Sequence, residues 1–159
     1  QVELKENVGS QDQIACAVGG LNYITFGGKS DWVHEPLIIG ESKKREIEER
    51  TVLIYTGVHR SSSDVQANFL IDLNKKAKTM IRTVELARES KEVLTRDLDL
   101  DLIGEMLVES WSLKKAMNSY AITSALEEIW SNSMRAGALG GKVLGAGGGG
   151  FVCFGSKKE

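Results

Sequence analysis

The chain is short of the features that mark most specialised proteins. No stretch approaches the ~20 apolar residues that a membrane span requires, so no membrane partner is expected. Lys and Arg total 20 against 22 Asp and Glu, a net charge of −2. Neither sign is in excess, which argues against a nucleic acid or an anionic lipid surface as the main partner. The two cysteines, Cys16 and Cys153, lie far apart, and neither stands at metal-ligand spacing from His34 or His59. They read as reduced thiols buried as small hydrophobes in a cytoplasmic protein, and no metal site is expected in the chain. There is a single proline, Pro36, with no Pro/Gly/Ser-rich linker and no internal repeat, so the 159 residues read as one compact domain. Gln1 opens the chain without a methionine, and Gln1–Asn7 reads as the tail of something longer.

What is present has an order. Ser10–Val18 reads as a short helix, with Ser10 and Gln13 in S-x-x-Q capping-box spacing and Gly19-Gly20 as its stop. Leu21–Phe26 and Thr51–Thr56 are rich in β-branched and aromatic residues and read as strands. The charge run Glu41–Arg50 between them reads as a solvated loop or edge strand. Three helices follow. The first starts near Ser63 with Val65, Phe69, Leu73, Ala77, Met80, Val84 and Ala87 on one stripe. The second carries Leu102, Met106, Leu113 and Met117. The third, capped near Ser119–Ser124, presents Leu126, Ile129, Ser133 and Ala136 and ends at Gly137. A last strand pair, Lys142–Leu144 and Phe151–Phe154, closes the chain. Strands, then helices, then strands imply an α+β fold, an antiparallel sheet with helices packed on one face.

The strongest chemical signal is the joint of that last pair. Residues Gly145, Ala146, Gly147, Gly148, Gly149 and Gly150 place five glycines in six positions. Glycine costs conformational entropy on folding, so this density is not there for local stability. It permits positive φ angles and lets backbone N–H groups approach a phosphate. A plain hairpin turn would need only two glycines. The string satisfies G-x-G-x-x-G literally, but a dinucleotide fingerprint opens a helix, and Phe151–Phe154 reads as a strand. The Walker pattern fails too, because Val143 follows Gly141-Lys142 where Ser or Thr is needed.

The run from Gly141 to Phe151 resembles the C-terminal motif of the GHMP kinases, a superfamily that includes galactokinase and the homoserine, mevalonate and phosphomevalonate kinases. Gly9-Ser10-Gln11-Asp12-Gln13 is similar to the G-x-x-D-Q segment of its sugar kinases. Thr56-Gly57-Val58-His59-Arg60-Ser61-Ser62-Ser63 resembles the T-G-x-x-R-x-x-S strand end of the D-glycero-D-manno-heptose 7-phosphate branch, as does Trp111-Ser112-Leu113-Lys114-Lys115. The resemblance implies that residues 1–159 are a GHMP kinase C-terminal domain with a ferredoxin-like plait. It implies the C-terminal half of an ATP-dependent kinase that transfers the γ-phosphate to a hydroxyl of a sugar or sugar phosphate, with heptose 7-phosphate as the expected substrate and galactose- or mevalonate-type substrates as alternatives. The family's P-x-x-x-G-L-x-S-S loop has no match in these residues. ATP and Mg2+ would therefore be held mainly by an N-terminal kinase domain of the same parent chain, and the isolated chain is expected to be inactive. A homo-oligomer is compatible with this reading.

Site residues carry over one at a time. The resemblance makes Asp12 the catalytic carboxylate that takes the acceptor hydroxyl proton, although any carboxylate is favoured in a first helical turn by the helix dipole. Gln11 and Gln13 would bind substrate beside it. Arg60 and Ser62, with Ser61 and Ser63, would hold a sugar phosphate, since Arg, hydroxyls and free N–H groups suit an anion. A capped helix with a surface Arg would show the same residues. Lys114-Lys115 reads as a solvated face, and Trp111 and Trp130 as packing residues. A binding, regulatory or dimerising domain that kept the fold without catalysis is the competing class.

Overall fold

The computed structural model describes residues 10–27, 31–58, 76–96 and 99–156. In chain order these form α1 (Gln11–Val18), β1 (Asn22–Phe26), β2 (Trp32–Pro36), α2 (Glu41–Glu49), β3 (Thr51–Tyr55), α3 (Ala77–Thr95), α4 (Leu100–Met117), α5 (Ser124–Arg135), β4 (Ala138–Val143) and β5 (Phe151–Ser156), with a 3-10 turn at Ser119–Ala121.

The strands divide into two antiparallel sets. β1 and β2 form a hairpin in which Phe26 faces Trp32, and β3, β5 and β4 form a sheet with β5 in the middle. The α+β architecture is as expected, but the strand at 22–26 pairs with 32–36 and not with the three-stranded sheet. The strand at 32–36 was not anticipated from composition, because all five of its residues are exposed and leave little apolar alternation to read.

Cross-strand register explains why helices cover one face of the larger sheet. Ile54 lies opposite Val152, Val143 opposite Val152 on the other side, and Gly141 opposite Phe154. These side chains share a face and meet Trp111 of α4 and Leu126 of α5 in the core, with Ile122, Ile129 and Trp130 packed around it. Fully burying a Val or Leu contributes about 1.5–3 kcal/mol, so this cluster anchors the domain. Trp111 stacks on Trp130 with ring centroids 6.3 Å apart, which makes both packing residues, as expected. The opposite face of the sheet presents Leu53, Tyr55 and Phe151, all exposed.

Glycines let α4 settle on β4. A Cβ on Gly104 would lie 3.1 Å from the Leu139 carbonyl carbon, and one on Gly140 would overlap the Gly104 carbonyl oxygen. The approach is made at a bulge between Ala138 and Gly140. Caps place the helix starts: the Asp99 carboxylate accepts from the N–H groups of Asp101 and Leu102, and the Thr123 hydroxyl from that of Leu126.

Four local expectations need correction. The charge run 41–49 is the helix α2, not a loop or edge strand. Its charges fall at helical spacing, with Lys44 2.6 Å from Glu41 and Arg50 3.4 Å from Glu46, and nothing in it breaks a helix. Gly40 is its N-cap, just after the buried Leu37 and Ile39. On α3 the stripe Ala77, Met80, Val84 and Ala87 is exposed, while Leu86 is buried; Phe69, Leu73 and the start near Ser63 lie outside the described residues. The helix carries apolar residues on more than one side, and only the position of α4 decides which side is covered. Ser10 makes no side-chain cap bond, because its backbone (φ −93, ψ 5) is not in the extended conformation that aims a capping hydroxyl. Cys16 is exposed on α1, whereas Cys153 is half-buried; both are free thiols.

Candidate active site

The loop between β4 and β5 is a compact coil built on left-handed glycines. Gly145, Gly147, Gly148 and Gly150 have φ values of 61, 97, 79 and 80, which L side chains adopt only with strain. Close approach adds a second requirement at two positions. A Cβ on Gly147 would fall 2.8 Å from the Ala121 Cβ, and one on Gly149 would overlap the Val58 carbonyl oxygen. The loop is thus wedged between the 3-10 turn and the segment after β3.

Two of its N–H groups serve this packing. Gly148 N–H donates to the Ala121 carbonyl at 2.6 Å and Gly150 N–H to the Val58 carbonyl at 2.9 Å. Those donors, assigned to a phosphate by the sequence pattern, are occupied within the protein. The N–H groups of Gly145, Ala146, Gly147 and Gly149 have no backbone carbonyl partner among the described residues. Free N–H groups gathered on one loop could meet an anion, and two of these, on Gly145 and Gly147, belong to positive-φ glycines.

The structure brings two more sequence signals to the loop. Thr56 N–H donates to the Gly150 carbonyl at 2.9 Å, so the T-G-V start of the T-G-x-x-R-x-x-S motif lies alongside the glycines. Arg60 and Ser62 lie outside the described residues. At the other end, a Cβ on Gly145 would stand 3.8 Å from Asp12 Oδ2, so the carboxylate from the first turn of α1 reaches the loop entrance. Gln11 and Gln13 are exposed on the same turn. Successive helical residues are about 100° apart, so they flank Asp12 and do not share its face.

A residue read as solvated completes the arrangement. Lys114, near the end of α4, is half-buried, and its Nζ donates to the carbonyls of Gly145 at 2.6 Å and Val143 at 3.2 Å. Burial, helped by the charge of Lys142, pushes its ammonium down to about 8, against the opposing pull of Asp12. Burial also lowers Lys142 and raises Cys153, its cross-strand neighbour. Lys115 behaves differently: it pairs with Glu127 at 3.2 Å and lies over the Trp111 and Trp130 rings. The doublet itself could not reveal this, because the roles of two adjacent lysines separate only when the helix is placed.

The Lys114 shift has a signed consequence for stability. Its folded-state value lies below the ordinary 10.5 of the unfolded chain, so folding disfavours its charged form. The penalty is complete below pH ~8 and disappears above pH ~10.5. Stability of the wild type relative to Lys114→Met should therefore rise as pH increases through that window. Urea midpoints of both proteins at pH 7.5 and pH 10 measure it, and a pH-independent difference would contradict the placement of Lys114.

Among the described residues no group of three or more His, Cys, Asp or Glu side chains could hold a metal ion. Mg2+ is often held by one or two carboxylates together with substrate phosphates, and Asp12 is a carboxylate at the loop that could contribute.

Comparison with known proteins agrees with this layout. Residues 86–159 match the family described as GHMP kinases C terminal. The chain is 33% identical over 148 residues to a D-glycero-alpha-D-manno-heptose 7-phosphate kinase of Campylobacter jejuni, covering 92% of this chain and 43% of that kinase. The crystal structure of a D-glycero-D-manno-heptose 1-phosphate kinase from Bacteriodes thetaiotaomicron superposes with a TM-score of 0.67 at 26% identity, over 97% of this chain and 40% of the other. The L. major mevalonate kinase, solved with R-mevalonate, gives a TM-score of 0.69 at 20% identity over 98% of this chain and 46% of its own, a likeness of fold alone. The chain thus spans less than half the length of each of these relatives.

Proposed function

We propose that the chain forms the C-terminal half of an ATP-dependent sugar kinase whose substrate is heptose 7-phosphate, its residues 86–159 matching the family described as GHMP kinases C terminal. One observation carries the reading: Asp12 Oδ2 stands at the entrance of a glycine loop that has free N–H groups, 3.8 Å from the Gly145 Cβ position. A carboxylate beside an anion cradle suits phosphoryl transfer to an alcohol, where positioning and charge stabilisation do most of the work. ATP with Mg2+ supplies the phosphoryl group.

Within the chain, Asp12 accepts a hydrogen bond from the acceptor hydroxyl and takes its proton. Gln11 and Gln13 hold sugar hydroxyls to either side, and Arg60 and Ser62 receive the 7-phosphate. The N–H groups of Ala146, Gly147 and Gly149 meet phosphate oxygens. The main triphosphate loop belongs to an N-terminal half of the same parent chain, a division supported by the 43% coverage of the Campylobacter kinase and by the missing P-x-x-x-G-L-x-S-S motif.

The test is an ADP-release assay of the full-length protein with ATP, Mg2+ and, separately, heptose 7-phosphate, galactose and mevalonate. Heptose 7-phosphate should exceed the others in kcat/KM by roughly 100-fold or more, the discrimination that a polar site achieves against analogues leaving its groups unpaired. Turnover confined to galactose or mevalonate would move the substrate within the family. No ADP release with any of them from folded protein would sink the kinase reading in favour of a binding or regulatory domain. Residues 1–159 alone should show no turnover, and robust activity from them would overturn the half-enzyme assignment.

A further inference from the structure

Lys114 is a costly choice for a half-buried position. Ordering a lysine stem forfeits up to about 2 kcal/mol of rotamer freedom, and this ammonium is also partly desolvated. Its Nζ takes the Gly145 carbonyl at 2.6 Å and the Val143 carbonyl at 3.2 Å, and its Cε lies 3.2 Å from where a Cβ on Gly147 would sit. The side chain therefore grips both the end of β4 and the loop.

Peptide planarity turns that grip into orientation. The C=O of one residue and the N–H of the next point in opposite directions across a trans peptide. With the Val143 carbonyl turned to Lys114, the Leu144 N–H must face away, and it does, donating to the Phe151 carbonyl at 3.0 Å. By the same rule, the Gly145 carbonyl held by Lys114 turns the Ala146 N–H away from the ammonium, where it has no backbone carbonyl partner among the described residues. We propose that Lys114 is a positioning residue of the phosphate loop: it fixes the 145–146 peptide plane so that the Ala146 N–H is presented to a phosphate oxygen of ATP. This rests on the kinase reading above.

The charged groups around Lys114 among the described residues are Asp12 on α1 and Lys142 on β4. Its helix neighbour Lys115 is engaged with Glu127. Burial, with the charge of Lys142, opposes the ammonium, outweighs the pull of Asp12 and lowers the Lys114 pKa to about 8. The neutral amine donates more weakly than the ammonium, and the grip on the loop loosens as pH rises through that value.

The experiment measures ATP affinity of the full-length protein by calorimetry without acceptor, from pH 7 to pH 9.5, for wild type, K114M and K114R. With Mg2+ present, which favours the ionised form of a phosphate whose second pKa is near 6, the terminal phosphate stays ionised over that range. K114M should weaken ATP binding at pH 7 about 10- to 100-fold, as expected for losing a charged hydrogen bond. Wild-type affinity should fall as pH rises through about 8, whereas K114R, charged throughout, should bind better than K114M and show no such fall. A lower melting temperature for K114M with unchanged ATP affinity would overturn the proposal, leaving Lys114 a structural tie. So would a pH dependence that persists in K114R, or failure of the wild type to bind ATP. If K114M does not fold, the comparison of wild type with K114R across pH decides alone. ATP binding that depends on Lys114 in a protein that phosphorylates none of the sugars would sink the kinase reading and leave this inference standing.

Discussion

Replacing Asp12 with Asn in the full-length protein should lower kcat by about 10²- to 10⁴-fold, the range for loss of a general base. The sugar KM should change only modestly, because an interaction made chiefly in the transition state is the one removed. Asparagine keeps the size of the side chain and its place in the first turn of α1, while removing the charge and the proton acceptor at the entrance of the glycine loop. The competing explanation is that Asp12 only complements the helix dipole. It predicts a stability loss of about 0.3–1 kcal/mol and near-normal turnover. Steady-state kinetics and a thermal melt of the same variant separate the two. Normal kcat with a lowered melting temperature would reduce Asp12 to a helix-end residue and leave the loop as the chemical centre.

The second large effect concerns folding. Gly140 of β4 and Gly155 of β5 are cross-strand partners, yet a Cβ added to each meets different surroundings. At Gly155 it meets nothing within 4 Å, whereas at Gly140 it overlaps the carbonyl oxygen of Gly104. Backbone cannot rotate aside as a flexible side chain can, so Gly140→Ala must lift α4 from β4 and disturb the core around Trp111. The cost should be about 3 kcal/mol or more, at the upper end of overpacking effects, and Gly155→Ala should lie within about 0.5 kcal/mol of wild type. Denaturant unfolding of the two variants measures the contrast. Equal stabilities would mean that the helix is not seated on the strand as closely as its glycines indicate.

Much of this arrangement is legible in the sequence. The strands at 22–26 and 51–55, the helices at 100–117 and 124–135 and the final hairpin follow from alternation, helical spacing and glycine stops. Gly19 and Gly20 end α1 with φ 64 and 69, as their position suggested. The glycine loop was visible because a plain hairpin turn needs only two glycines and this one holds five in six positions. Misreadings arose where local pattern was ambiguous. α2 has almost no apolar residues, so periodicity was silent although its charge spacing favoured a helix. The stripe on α3 was real, but the helix turned another side inward.

Residue identity by itself determined the glycine loop, the carboxylate in the first turn of α1 and the α+β class, since each depends on conformations available to a short stretch of chain. Only the tertiary structure decided which loop N–H groups remain free, which side of α3 is covered, and that Lys114 and not Lys115 reaches the loop. Each of those outcomes depends on contacts between segments distant in sequence. Lys114 reaches Gly145 because α4 lies close enough to β4 for Gly104 and Gly140 to touch, and no local pattern encodes that distance.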